Sequence, residues 1–135
     1  MKPLRIAFVL APLLAVSISF AQSKPGDLVA DVPFAFVVAG HTLPPGHYIV
    51  NNLNEYLSIH GPQNHGVLVP VHSAQRSVHE NTSKMVFHRY GDTYFLSEVW
   101  VSGNSIGRTL FPSQGERKLS ASGREREIAV VHMEK

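Results

Sequence analysis

The histidines are the residues of this chain whose side chains most readily bind metals or move protons. The sequence has eight histidines and no cysteine. Neutral imidazole is a common transition-metal ligand and a frequent general base. The spacing is unfavourable, because no His-Glu-x-x-His, no His-x-His and no nearby group of aspartates is present. His60 and His72, on predicted neighbouring strands, are the candidates that remain for a metal site. Solvated surface histidines are the alternative.

The absence of cysteine excludes several classes of chemistry at once. Thiol catalysis, iron–sulfur clusters, cysteine zinc sites and disulfides all require that residue. The glycine-containing segment 103–107 has neither the lysine nor the helix of a phosphate-binding loop. We therefore expect no cofactor, and a protein that is not an enzyme.

One hairpin carries the candidate surface for a ligand or a partner. It is predicted from Met85 to Val101 and turns at Gly91-Asp92. Period-two counting across that turn pairs Met85 with Glu98, and four of the seven side chains that it places on one face form the candidate surface. These are Arg89, Tyr94, Glu98 and Trp100. An Arg89–Glu98 ion pair that stabilises the hairpin is the structural alternative, as is burial of the aromatic rings in the core.

Strands must position these residues, because apolar side chains alternate with a period of two over most of the chain. The first such run covers 28–38 and contains Pro33, where we expect a break or an edge. Further strands are predicted at 47–53, 56–60, 66–72, 106–111 and 128–133, with a mobile loop at 73–83. Ser113 and Glu116 have the spacing of a capping box, which predicts a short helix that ends near Gly123. Both faces of the Met85–Val101 hairpin are apolar, so we expect it to be packed on both sides.

The predicted fold class is all-β. We expect a single small sandwich or flattened barrel of about seven or eight short antiparallel strands, with one short helix near the C-terminus.

The N-terminus has the layout of a secretory signal peptide. Lys2 and Arg5 precede an apolar run, and Ser19 and Ala21 are small residues placed for cleavage before Gln22. The run is shorter than the roughly 20 residues that cross a bilayer, and Pro12 interrupts it. We therefore expect residues 1–21 to be a signal peptide and 22–135 to form one β-rich domain that is periplasmic or secreted.

The mature chain has no charge pattern suited to nucleic acid. Removal of residues 1–21 from the 135 leaves 114 residues, with 10 basic and 10 acidic side chains. A nucleic-acid-binding surface requires clustered Lys and Arg on one face. Neither nucleic acid nor, after removal of the signal, a transmembrane segment is expected.

Several blocks of residues have a familiar arrangement. They are 32–38 (VPFAFVV), 43–48 (LPPGHY), 87–100 (FHRYGDTYFLSEVW), Gly107-Arg108 and Glu116-Arg117. Together they resemble a family of small exported bacterial proteins of unknown function. The resemblance implies a signal peptide and a compact β-rich domain, and it carries no catalytic or ligand residue to these positions.

Three functions follow as hypotheses. The first is an exported, non-catalytic β-domain that binds a protein or another envelope component, with homo-oligomerisation left open. The second is a small barrel that carries an apolar ligand in a cavity lined by aromatic residues, namely Phe34, Phe36, Phe87, Phe95 or Trp100. The third is a histidine-dependent metal-binding protein or hydrolase.

Overall fold

The structure is a computed structural model that describes residues 27–75, 81–103 and 106–134. Within these ranges the chain forms ten strands, one α-helix and a 3₁₀ turn at Pro62–Asn64. The strands are β1 (Leu28–Val32), β2 (Phe36–Val38), β3 (His41–Leu43), β4 (Gly46–Asn52), β5 (Tyr56–His60), β6 (Gly66–Gln75), β7 (Lys84–Tyr90), β8 (Thr93–Trp100), β9 (Ile106–Leu110) and β10 (Glu127–Glu134). The helix α1 covers Gln114–Ala121, between β9 and β10. None of the helices in the described ranges is long and apolar enough to cross a bilayer.

Proline and glycine set the boundaries of the first strands. β1 ends immediately before Pro33, as expected for a residue that has no backbone N–H to donate. The chain then turns at Ala39 and Gly40, whose φ angles are 49° and 80°. Two successive left-handed residues make the type I′ turn that hairpins favour. β2 and β3 are therefore a short hairpin, with Val38 opposite His41.

Eight of the strands close into an antiparallel barrel in the order β1-β4-β5-β6-β9-β8-β7-β10. Closure depends on β8, which pairs with β9 through Glu98 opposite Thr109. The β2–β3 hairpin is an addition to this ring, because β2 runs parallel to the start of β8 with Phe36 opposite Tyr94. The predicted all-β class with one short helix is confirmed, and of the two predicted architectures the barrel is the one that forms.

Large side chains from alternate strand positions fill the barrel. Tyr48, Leu57, Ile59, Met85 and Phe87 are all 0% exposed. The ring of Phe36, which comes from the added hairpin, packs edge to face on Tyr48 at 5.1 Å and on Phe87 at 5.4 Å. Because burial of a large apolar side chain stabilises by about 1.5–3 kcal/mol, this interior is the main source of stability in a protein without disulfides.

A second buried layer lies outside the barrel, beneath α1. Tyr90 and Phe95 belong to the outer face of the β7–β8 hairpin, yet they are only 3% and 4% exposed. The helix covers them closely, since a Cβ added at Gly115 would lie 3.7 Å from the Phe95 ring. The prediction that this hairpin is packed on both faces is therefore confirmed.

A β-bulge changes the predicted register of the same hairpin. The turn at Gly91-Asp92 and the pairs from it to Phe87–Leu96 are as predicted, but Ser97 has no partner and Met85 lies opposite Val99. The extra residue exchanges the faces of the side chains that follow it. Glu98 and Trp100 consequently face outward, and the prediction that they share a face with Arg89 is wrong.

Two other predictions concern segments at the margins of the described ranges. β6 continues through Gln75, which lies opposite Ile106 of β9, so the predicted loop at 73–83 is wrong for its first three residues. Pairing with a distant strand overrides the polar local sequence here. The predicted signal peptide at 1–21 and the rest of that loop up to residue 80 lie outside the described residues.

Candidate binding site along strand β6

Strand β6 exchanges one partner for another halfway along its length. Its first half, Gly66 to Pro70, pairs with β5, and its second half, Val71 to Gln75, pairs with β9. In the described part of the chain, each half is therefore paired with a barrel strand along one edge, and its other edge has no paired strand. A surface cleft lies at each of these edges.

The Arg108 cleft lies beside the second half of β6 and has a volume of 540 Å³. Its lining residues are Asn54, Glu55, Tyr56, Pro70, Val71, His72, Ser73 and Arg108. The guanidinium of Arg108 donates from Nε to Asn52 Oδ1 at 3.1 Å and from Nη1 to Ser73 Oγ at 2.5 Å. These bonds connect β9 to β4 and β6 just beyond Tyr56, the residue at which β5 begins. Side chains therefore seal this part of the barrel.

Arg108 keeps binding capacity after making these bonds. Both of its acceptors are neutral, and the described carboxylates form no ion pair with it. A guanidinium has five N–H donors in a fixed plane, which suits a carboxylate or another planar acceptor. The cleft consequently presents a positioned cation beside the carboxylate of Glu55 and the ring of Tyr56.

A group of exposed and mostly apolar side chains borders the two clefts along β6, and we call it the β6 face. Its members are Tyr56, Leu68, Pro70, His72 and Phe111. Leu68 is 60% exposed, Phe111 57% and Tyr56 45%. Tyr56 lies directly opposite Pro70, and the Phe111 ring packs on His72 at 4.7 Å. Single exposed apolar residues are ordinary, whereas a contiguous set of them marks an interaction site.

The β3 cleft lies beside the first half of β6 and has a volume of 430 Å³. Its lining residues are His41, Thr42, Leu43, Asn64, His65, Gly66, Val67 and Leu68. Strand β3 forms one wall, and its end is held because the Tyr48 hydroxyl donates to the carbonyl oxygen of Pro44. Burial raises the pKa of Tyr48 above its ordinary value, since the phenolate would lose its hydration.

The predicted metal candidates are not brought together. His60 lies opposite Gly66, and His72 is six positions further along β6, a separation of about 20 Å at the rise of a strand. His60 instead contacts Ser58, with 2.7 Å between Nε2 and Oγ. In the part of the chain that the structure describes, no group of three or more His, Asp and Glu is arranged to hold a metal ion.

The four residues of the predicted ligand surface lie in two separate places. Arg89 and Tyr94 are at the turn end of the hairpin, where the guanidinium lies 5.4 Å from the Tyr94 ring centre. Arg89 Nε also donates to the carbonyl oxygen of Gly91 at 2.7 Å, and its Nη1 is 3.8 Å from Glu127. Tyr94 stacks on Phe34 with 3.8 Å between the ring centres. These contacts account for both side chains without a ligand.

Glu98 and Trp100 lie on the outer face, beyond the bulge. Trp100 is 1% exposed, and its Nε1 donates to Glu98 Oε2 at 2.6 Å. The expected Arg89–Glu98 ion pair is therefore replaced by a bond between neighbours on β8. Because Trp100 is buried, it offers no surface to a partner.

The aromatic residues suggested for an apolar cavity are divided between the two buried layers. Phe34 packs edge to face on Phe87 at 5.0 Å, and Phe36 does so at 5.4 Å. Phe95 and Trp100 are outside this core, on the other face of β8. They do not line one shared cavity.

A cluster of polar side chains between α1 and β7, centred on the buried carboxylate of Glu116, was not predicted from the sequence. Glu116 is 6% exposed, and its Oε1 lies 2.6 Å from His88 Nδ1 and 3.4 Å from the Tyr90 hydroxyl that donates to it. A buried carboxylate requires such partners. Its backbone N–H donates to Ser113 Oγ at 3.3 Å, as the capping box predicts. The shared parity of His88 and Tyr90 was the signal for an outer polar pair, and the cluster fixes the helix on β7.

The segment between β8 and β9 contains a serine motif. Gly103-Asn104-Ser105-Ile106-Gly107 matches Gly-x-Ser-x-Gly, the pattern of the nucleophile elbow in α/β-hydrolases. That elbow connects a strand to a helix, whereas this segment connects the antiparallel strands β8 and β9. Ser105 itself lies outside the described residues. The match is therefore in a context unlike that of the hydrolases.

Comparison of the chain with models of protein families, with curated proteins and with solved structures finds no match.

Proposed function

We propose that this chain is an exported, non-catalytic protein of the cell envelope that binds a protein partner along strand β6. The observation that carries the proposal is the β6 face. Leu68, Phe111 and Tyr56 are exposed together there, between two clefts that follow the same strand. Interfaces of this kind combine a central apolar area with a polar rim, and Arg108 supplies part of that rim.

Export is the second element of the proposal. It is supported by the signal-peptide layout of residues 1–21 and by the resemblance to small exported bacterial proteins. Mass measurement of the protein purified from its native host tests it. The expected chain begins at Gln22, and a chain that retains residues 1–21 in the cytoplasm would contradict export.

Site-specific photocrosslinking in the native host tests the binding surface. A photoreactive phenylalanine analogue at Phe111 or Tyr56 is compared with the same analogue at Ile128 of β10. Ile128 is a matched control, because it and Phe111 are both 57% exposed, and β10 lies four strands from β6 in either direction around the barrel.

We expect one adduct of the same mass from positions 111 and 56, and none from position 128. Equal labelling at all three positions would show nonspecific contact. Absence of an adduct at both 56 and 111 would exclude the β6 face as the binding surface.

A further inference from the structure

We propose that the β3 cleft binds an extended segment of the partner, which adds as a strand between β3 and the first half of β6. This inference rests on the proposed function and specifies how the partner is recognised. Strand addition to an open sheet edge is an established mode of peptide recognition, in which backbone hydrogen bonds supply affinity and alternate side chains supply specificity.

The wall that β6 contributes has an open backbone edge. The Val71 N–H donates to the Glu55 carbonyl oxygen at 2.9 Å, on the side of β5. Backbone groups of successive strand residues point to alternate sides. Those of Gly66 and Leu68 therefore point away from β5, into the cleft. β9 does not cover them, because its pairing with β6 begins at Val71.

The opposite wall has an open edge as well. Among the described residues, β3 pairs with β2 and with no other strand. In this two-residue hairpin Val38 and His41 exchange the first pair of hydrogen bonds. The N–H and C=O of Thr42, the next residue, consequently point away from β2. A segment placed in the cleft thus meets hydrogen-bonding groups of Thr42 on one side and of Leu68 on the other.

Proline explains why the chain's own β9 does not fill this gap. Pro70 has the same parity as Leu68, so the N–H that it lacks would have pointed toward β9. Proline is tolerated at strand positions whose N–H side is unpaired. Since β9 ends at Leu110, before Phe111 and Pro112, the first half of β6 stays uncovered there.

The lining of the cleft indicates what kind of segment fits. Leu43 is 3% exposed and Val67 is half-buried, so the floor is apolar. The rim consists of uncharged or titratable polar groups, namely Thr42, Asn64, His41 and His65. Among the described residues, the lining contains no Asp, Glu, Lys or Arg. We therefore expect an uncharged segment in which small apolar residues alternate with polar ones.

Amide hydrogen exchange on the free protein tests the edges themselves. We expect the Leu68 and Thr42 amides to exchange much faster than the Val69 amide, which points toward β5. If both are protected as strongly as Val69, the edges are already occupied and the proposal is wrong.

Selection of peptides tests the occupant. A random heptapeptide library displayed on phage is panned on the mature protein, and the selected peptides are synthesised for NMR titration. We expect an alternating apolar pattern, and protection of the Leu68 and Thr42 amides on binding. Failure to enrich any peptide, or peptides that leave both amides exposed to exchange, would overturn the proposal.

Two variants at one position isolate the backbone contribution. Thr42→Pro removes the open N–H, and Thr42→Val retains it with a β-branched side chain. We expect at least a tenfold loss of peptide affinity in Thr42→Pro and less than a twofold change in Thr42→Val. If Thr42→Pro does not fold, the selected peptide with N-methylated backbone amides serves instead, and its equal affinity for the native protein would contradict strand addition.

The same variants separate this proposal from the proposed function. If the Phe111 adduct forms with Thr42→Pro at full yield, the partner binds the β6 face without strand addition. If no adduct forms even with the native Thr42, the proposed function fails first. A concentration-dependent dimer that Thr42→Pro abolishes would make a second copy of the chain the occupant, which contradicts a separate partner.

Discussion

Among the described residues, the two halves of β6 each have one edge without a paired barrel strand. They differ in what bridges the gap at that edge. Beside the second half, Arg108 bridges the opening through Asn52 and Ser73. Beside the first half, no hydrogen bond crosses from β3 to β6 among the described residues. A barrel can thus be sealed by side chains where its backbone ladder is interrupted, and the opening left unsealed is the one suited to a partner.

The largest expected difference between the halves is in their tolerance of added volume. A Cβ at Gly107, beside the sealed half, would lie 2.6 Å from the buried Trp100 ring, whereas a Cβ at Gly66 would lie 3.1 Å from the imidazole of the exposed His60. Overpacking of a buried site costs about 1–3 kcal/mol, and surface changes cost about 0.5 kcal/mol or less. We expect Gly107→Ala to lower the free energy of unfolding by the larger amount and Gly66→Ala by the smaller.

Denaturant unfolding followed by fluorescence measures both variants. Trp100 is the single tryptophan of the chain, so its emission also reports whether Gly107→Ala displaces the ring. Equal stability of the two variants would mean that the sealed half is as adaptable as the open one.

The sequence alone predicts the local elements well and the long-range pairing poorly. The break at Pro33, the turn at Gly91-Asp92 and the helix that begins after Ser113 all depend on neighbouring residues, and all three are found. The bulge at Ser97 has no comparable signal, because period-two counting assumes an uninterrupted ladder. An error of one residue there reversed the faces assigned to Glu98 and Trp100.

The candidate site was missed for the same reason. The exchange of partners by β6 depends on where β5 begins and β9 ends. Tyr56, the first residue of β5, lies 10 residues before the start of β6 at Gly66. β9 begins at Ile106, 31 residues after β6 ends at Gln75. Pro70 was the local signal for an open edge, since proline inside an apolar run indicates unpaired backbone. The burial of Glu116 likewise becomes apparent only when α1 is placed on β7.

A second variant removes the Arg108 side chain, which bridges the gap beside the second half of β6. Arg108→Ala eliminates the bonds to Asn52 and Ser73, and hydrogen bonds made by charged groups contribute about 1.5–3 kcal/mol when they are well formed. Because Arg108 is partly exposed, we expect a loss near the lower end, about 1.5 kcal/mol. Arg117→Ala is the control, because Arg117 is exposed on α1 and its side chain donates to the Pro112 carbonyl oxygen at 3.2 Å.

Chemical denaturation of both arginine variants gives the comparison. Amide exchange at His72, whose N–H points toward β9, shows whether loss of Arg108 loosens the pairing of the second half of β6. Equal losses in the two variants would show that Arg108 does not act as a seal.

The smallest expected effect concerns the wall of the open half and is visible at high pH. Burial raises the pKa of Tyr48 above its ordinary value of 10.0, so the folded protein retains this proton to a higher pH than the unfolded chain does. The contribution to stability is complete below the ordinary pKa, and it is lost as the pH rises through the folded-state pKa. We expect the free energy of unfolding to fall above pH 10 with a smaller slope in Tyr48→Phe.

The Tyr48→Phe variant also loses the hydrogen bond to the Pro44 carbonyl oxygen, which lowers its stability by about 1 kcal/mol. Urea unfolding at a series of pH values from neutral to alkaline measures both terms. Parallel pH curves would show that burial does not raise the Tyr48 pKa, and equal stabilities at neutral pH would show that the Tyr48 hydroxyl does not hold the end of β3.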